Sequence, residues 1–274
     1  MMADPRPIGL FDSGIGGLSI WRELVRRLPY ETTIYVADTA YCPYGTRPID
    51  EIQARAVAIT RFLLNLECKL IVVACNTASA AALKKLRTCF DLPFVGLEPA
   101  IKPAALATRS GHVGVLATAG TFRGNLFQNT ARRYANAVQM HLQIGEGLVE
   151  QVEAGQCNGP VTERRLRQYL EPMLAASVDQ IVLGCTHYPF LMPLIQQIVG
   201  SRAHIIDPAP AVADQVIRVL SAQDALREQP SATIDAGLSA HKFYTTGQPR
   251  TFSFDGEITG SDFKQPICFD RVEL

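Results

Sequence analysis

Short apolar runs rich in Val and Ile recur along the chain, separated by longer stretches in which apolar positions return every three or four residues. The short runs predict strands over 7–11, 33–37, 70–74, 94–97, 112–117, 139–144, 180–184 and 204–206. The longer stretches predict helices over 17–28, 50–66, 78–90, 124–134, 162–176 and 211–221. Strands that are apolar throughout, alternating with amphipathic helices, are the signature of βαβ units in a mainly parallel sheet covered on both faces. The fold class is α/β, doubly wound. The last fifty or so residues, including HKFYTTGQPRTFSF, read as irregular, with room for a late strand or a surface appendage.

The pattern also repeats. IVVACNTASAAALKKLRTCFDLPFVGLEPA begins at Ile71 and IVLGCTHYPFLMPLIQQIVGSRAHIIDPA begins at Ile181. Each is strand, Cys, a Thr-containing polar turn, helix, strand, then an acidic residue followed by Pro-Ala. Upstream, IGLFDSGIGG around Asp12 matches VGVLATAGTF around Thr118 more weakly. Two similar α/β domains related by a pseudo-two-fold are expected. The first is 1–98 plus 208–274 and the second 99–207, with two chain crossings that favour a hinged pair of lobes and a cleft between them.

Composition narrows the partners. At 274 residues and 47% hydrophobic, the chain can bury one large core or two modest ones. Lys+Arg and Asp+Glu are equal at 26 each with no block of one sign, so neither a nucleic-acid nor an anionic membrane surface is expected. A small neutral or anionic molecule suits this balance better. Seven scattered cysteines form no short-range disulfide framework and read as thiols. No leader-like N-terminus and no stretch of about 18 apolar residues is present, so the expectation is a soluble, cytoplasmic protein.

In a parallel α/β sheet ligands bind at the carboxyl ends of the strands, which puts ACNTAS and GCTHYP at the functional edge. A single free Cys is more often a small buried hydrophobe. Cys75 and Cys185, at equivalent points of a repeat, are instead expected to be a reactive pair, each near a helix N-terminus that would lower its pKa. Cys42, Cys68, Cys89, Cys157 and Cys268 lack that setting and read as packing or surface residues. The glycines of LFDSGIGGLSI would let backbone approach a bound anion such as a carboxylate, with Asp12 as helix cap, catalytic group or both. YCPYGTRP is a turn-rich loop in which the backbone N–H groups of Tyr44 and Gly45 could hold a carboxylate. Ser13, Asn76, Thr77 and Thr186 offer neutral hydrogen bonds at the same crevice. His187 is a proton relay, a thiolate partner or a hydrogen-bonded crevice histidine, and Glu153 a catalytic group or a solvated helix-face carboxylate. Zinc on Cys75, Cys185 and His187 is disfavoured by the lack of paired CxxC spacing, so no metal is expected.

Taken together, DSGIGG, PYGT, ACNTAS, GCTHYPF and FYTTG resemble, in order and over nearly the whole chain, the motifs of the glutamate racemases. The resemblance implies two α/β domains with the active site between them and no cofactor, neither pyridoxal phosphate nor metal. It implies that Cys75 and Cys185 are the catalytic cysteines. Asp12 and Ser13, Tyr44 and Gly45, Asn76 and Thr77, and Thr186 and His187 match the family's substrate-contacting pairs. Thr118 and Thr121 match a more variable segment, and Glu153 matches a family glutamate, although GEGLVEQVEAG departs from the commoner Pro-containing version. Inverting an α-carbon takes a base on one face and an acid on the other. By analogy, Cys75 with Asp12 handles the proton of the D-substrate and Cys185 with His187 that of the L-substrate. The implied role is supply of D-glutamate for peptidoglycan, and the implied assembly is a monomer or homodimer. The rival readings are an aspartate racemase, disfavoured because that branch resembles Cys-Thr-Glu where this chain has Cys-Thr-His, and a non-catalytic amino-acid-binding protein, disfavoured by the two retained cysteines.

Overall fold

The computed structural model describes residues 4–134, 136–227, 240–253 and 266–274. Strands β1 (Ile8–Asp12), β2 (Thr33–Ala37), β3 (Leu70–Val73) and β4 (Phe94–Gly96) lie parallel in the order β2-β1-β3-β4. The first three are buried at every position, which is why their sequences are apolar without alternation. Helices α1 (Leu18–Arg27), α2 (Ile49–Asn65) and α3 (Asn76–Cys89) connect them. α3 begins two residues before its expected start, which makes Cys75 its N-cap.

The chain then builds a second sheet. After α4 (Ile101–Ala107) come β5 (His112–Ala117), α5 (Ala119–Arg123), α6 (Asn125–Tyr134), β6 (Gln139–Ile144), α7 (Leu148–Glu153), α8 (Pro160–Ala175), β7 (Gln180–Gly184), α9 (Met192–Val199) and β8 (His204–Ile206). The strands are again all parallel, in the order β6-β5-β7-β8. This is the order of the first four strands, element for element. Continuing the registers Phe11↔Val73 and Ala117↔Gly184 sets Ser13 beside Cys75 and Thr118 beside Cys185. Ser13, not Asp12, is therefore the counterpart of Thr118.

Helix α10 (Ala209–Ala222) returns to the first sheet and packs on α1, where Arg27 meets Asp214 at 2.7 Å. The tail is more regular than its sequence promises. β9 (His241–Thr245) pairs in parallel with β2, and β10 (Arg250–Phe252) and β11 (Ile267–Arg271) extend the sheet to seven strands among the described residues. Phe243 is the anchor, with its ring 5.1 Å from that of Trp21 and 5.7 Å from that of Phe269. One apolar cluster runs from Leu10 and Val72 of the larger sheet to Ile181 and Leu183 of the smaller. Among the described residues no helix is long and apolar enough to cross a membrane.

Candidate active site

Cys75 lies just past β3, where its Sγ accepts the Ala78 N–H at 3.4 Å as the cap of α3. Cys185 directly follows β7, but no α-helix starts there. A 3₁₀ turn, Tyr188–Leu191, intervenes before α9, and the Cys185 carbonyl accepts the Tyr188 N–H. Both thiols are buried, and both line one small cavity. Ser13, Tyr44, Gly45, Asn76, Thr77, Thr118, Thr186 and His187 line it too, joined by Pro43 and Val149, which the sequence did not single out. Pro43 follows a cis peptide bond and sits in the loop already singled out; Val149 gives no signal beyond an apolar helix position.

Asp12, Glu153 and Thr121 are not among the lining residues; each stands behind one that is. Asp12 is fully buried. Its Oδ2 accepts the Gly17 N–H at 2.7 Å and the Thr186 hydroxyl at 3.4 Å, and its Oδ1 accepts the Ser13 hydroxyl at 3.5 Å. Burial raises its pKa, against the lowering pull of His187, the Cys75 thiol and the Gly17 and Ser13 backbone N–H groups. The expectation that a helix N-terminus lowers the pKa of Cys75 is reversed. Burial raises it well above the ordinary thiol value, the Asp12 charge adds to the rise, and the single Ala78 N–H does not offset them.

The other thiol has a different neighbourhood. His187 Nδ1 is 3.8 Å from Cys185 Sγ, and His187 Nε2 is 2.8 Å from Glu153 Oε1. Glu153 Oε1 also accepts the Ile15 N–H at 2.8 Å, and Oε2 accepts Arg250 Nη2 at 2.6 Å. Burial alone would depress the His187 pKa, yet Cys185, Cys42 and Glu153 together carry it well above the ordinary imidazole value. Glu153 is held at about 2: burial pushes it up, but His187, Arg250 and the Ile15 N–H push it further down. The Gly-rich turn thus binds an anion, and the anion is the protein's own Glu153. A Cβ on Gly14 would sit 1.8 Å from Glu153 Oε1, and one on Gly16 would sit 2.3 Å from His187 Nδ1. Those glycines make room for the His–Glu pair; Tyr35 fixes their turn by donating to the Gly14 carbonyl at 2.7 Å. Cys42 packs against the larger apolar cluster, as its sequence setting suggested, and it also brings its thiol within 4.8 Å of the nearest His187 and Glu153 ligand atoms, where burial raises its pKa.

On the opposite wall a chain of hydroxyls crosses between the sheets. Thr77 Oγ1 is 2.8 Å from Thr118 Oγ1, which is 3.0 Å from Thr121 Oγ1, and Thr121 donates to the Gly184 carbonyl at 3.3 Å. Arg123 from α5 reaches across to the Gly45 carbonyl at 3.0 Å. The Tyr44 hydroxyl donates to Asp38, which is also paired with Arg55 at 2.8 Å, and this anchors the loop. Asn76 is the exception to these satisfied polar groups. Its Oδ1 and Nδ2 are both buried and have no protein partner, although the residue lines the cavity. Buried amides are rarely left unpaired, and no group of the protein accounts for this one.

Cys42, Glu153 and His187 place a sulfur, a carboxylate oxygen and an imidazole nitrogen within 4.8 Å of one another, a donor set zinc would accept. The charge at this point is already balanced differently. Arg250 sits on the carboxylate, and its guanidinium together with the His187 proton supplies the positive charge a metal would bring. The trio is built as an ion-pair network.

Two cysteines at the ends of equivalent strands line one cavity, and the chain as a whole resembles known proteins. Residues 8–216 match the family model described as Asp/Glu/Hydantoin racemase. A glutamate racemase of Roseiflexus sp. is 48% identical over 249 residues, covering 90% of each chain. The solved glutamate racemase of Escherichia coli, in complex with L-glutamate and the activator UDP-MurNAc-ala, is 36% identical with a TM-score of 0.76, over 89% of this chain and 90% of that one. That of Francisella tularensis, in complex with D-glutamate, is 30% identical with a TM-score of 0.75, over 90% of both. With similarity of this extent in both sequence and fold, this chain belongs to the Asp/Glu/hydantoin racemase family.

Proposed function

We propose that the chain interconverts L- and D-glutamate, without a cofactor, by removing the α-proton with one cysteine and delivering a different proton to the opposite face from the other. The observation that carries this reading is that Cys75 and Cys185 line the same buried cavity from two different sheets. Each has its own carboxylate-bearing support, Asp12 behind Cys75 and His187–Glu153 behind Cys185. Racemisation needs both faces of Cα served, and a group that has just received a proton cannot give the opposite face a new one.

The unequal surroundings support one allocation of roles. Cys75, whose pKa is well raised, starts as the thiol. Cys185, paired with His187 Nδ1 at 3.8 Å, is the base that takes the proton from L-glutamate. Cys75 then delivers its proton to the opposite face and leaves D-glutamate. For the D-substrate the roles exchange, with Asp12 as partner of Cys75. The carbanion forming at Cα is stabilised by hydrogen bonds to the α-carboxylate in a narrow, water-poor cavity. Asn76, with its unpaired amide, is the first candidate donor, and Thr77, Ser13 and Thr186 stand beside it.

The two sheets are read as two domains, 1–98 plus 208–274 and 99–207, closing over the substrate. The enzyme is read as cytoplasmic, acting alone or as a homodimer, and its D-glutamate as feeding peptidoglycan synthesis. The test is incubation with L-glutamate and, separately, L-aspartate, with no added cofactor, followed by chiral analysis. D-glutamate accumulating to equal amounts of the two enantiomers is expected. Turnover of aspartate alone would transfer the reading to aspartate racemisation, and turnover of neither would leave a binding protein.

A further inference from the structure

The C-terminal strands bring to the site a charged side chain that the two-thiol chemistry does not use. We propose that Arg250 is a positioning residue for racemisation, holding Glu153 in the orientation that aims His187 at Cys185; the inference rests on the racemase reading above.

Glu153 needs such a hold. It is the last residue of α7, a helix of only six residues, so its backbone sits at the end of a short element. The helix dipole also disfavours a carboxylate at a helix C-terminus. Arg250 corrects both problems from a fixed place. It opens β10, which is paired to β11 through Arg250↔Phe269, and that pair is joined through β9 to the central sheet. Its Nη2 occupies Glu153 Oε2 at 2.6 Å, while the Ile15 N–H and His187 Nε2 share Oε1 at 2.8 Å each. Both oxygens are then engaged and the carboxylate plane is set. His187 is turned through this plane, with its other nitrogen toward Cys185.

Arg250 also sets the charge balance. The titratable groups facing His187 are Cys185 from its own loop, Cys42 from the loop after β2, Asp12 from the end of β1 and Glu153 from α7. Every one of these is neutral or negative. Arg250, reaching Glu153 from β10, is the cation that moderates their field. Without it, Glu153 Oε2 loses its donor and the carboxylate can rotate, alignment of His187 with Cys185 loosens, and the remaining anions bind the imidazole proton more tightly.

The experiment compares the full chain with Arg250→Ala and Arg250→Lys, measuring kcat and KM for L- and D-glutamate across pH. Arg250→Ala should lower kcat by roughly 10- to 100-fold, the scale of a misplaced catalytic group, with KM nearly unchanged. The alkaline limb of its kcat profile should move to higher pH. Arg250→Lys should recover part of the rate, and so should millimolar guanidinium added to Arg250→Ala, since the Arg250 side chain is partly exposed at 29%. The proposal is overturned if Arg250→Ala stays within about twofold of the parent, if its loss lies in KM as for a direct substrate contact, or if the loss tracks a lower Tm and neither lysine nor guanidinium restores activity. A parent chain that racemises nothing would instead refute the racemase reading itself.

Discussion

Changing either Cys75 or Cys185 to serine should cut racemisation by about 10³- to 10⁴-fold in both directions, while glutamate still binds. A hydroxyl occupies nearly the space of a thiol but is a far weaker acid, so it neither gives nor takes the α-proton at neutral pH. The fold should tolerate both changes. At position 75 the serine oxygen can still accept the Ala78 N–H, and serine is a favoured helix cap. Because the enantiomers are mirror images of equal free energy, kcat/KM must fall equally for L- and D-glutamate, and any asymmetry between the two cysteines appears only in kcat and KM separately. Initial rates from each enantiomer, with calorimetric titration of glutamate, provide the check. A single serine variant with near-parent turnover would refute the pairing.

Glu153→Gln should have the second largest effect, and its signature is in pH. The parent carboxylate is held at about 2, below its ordinary 4.5, and His187 is held well above its ordinary 6.5. Removing the anion takes away one of the groups that, with Cys185 and Cys42, raise the imidazole pKa against its burial. His187 should then lose its proton at lower pH than in the parent. Activity at about pH 8 should drop at least roughly tenfold, with a smaller loss at about pH 6, and the alkaline limb should move down by about one pH unit or more. This is opposite in sign to the shift expected for Arg250→Ala. Stability follows from the same pair. The contribution of Glu153 is complete above 4.5 and is lost as pH falls toward about 2; that of His187 is complete below 6.5 and is lost as pH rises through its raised value. Unfolding by denaturant at about pH 5.5, where both are present, should therefore show the greatest destabilisation by Glu153→Gln. An unchanged histidine titration by NMR would contradict this account of the pair.

Much of this was legible because local pattern carries it. The apolar runs that end at Asp12, Ala37, Val73, Ala117 and Gly184 are strands for the same reason they are readable, namely burial on both faces. The repeat around Ile71 and Ile181 foreshadows two sheets of equal strand order. What stayed hidden depends on partners distant in sequence. β9 reads His-Lys-Phe-Tyr-Thr, and two of its three inward residues, His241 and Thr245, are polar, so its alternation is masked. Arg250 meets Glu153 from 97 positions away, and nothing near either residue announces the other. Cys42 comes within 4.8 Å of His187 only because the loop after β2 folds over the cavity. The glycines of DSGIGG were legible as an anion-binding turn, but the anion proved to be internal, since Ile15 and Glu153 are 138 positions apart. The direction of the Cys75 pKa was misread because the helix terminus is visible in sequence and the depth of burial beside Asp12 is not.

The central claim is that one proton leaves Cα to one sulfur and a different proton arrives from the other. Starting the reaction with L-glutamate in D₂O and examining both enantiomers by mass spectrometry at low conversion tests it directly. Thiol protons exchange with solvent, so the acid that protonates the second face carries deuterium. D-glutamate deuterated at Cα in nearly every molecule, beside residual L-glutamate that still holds its original protium, is the predicted result. D-glutamate that retains the substrate's own α-proton would mean that a single group removes and returns it, and would contradict the two-thiol account.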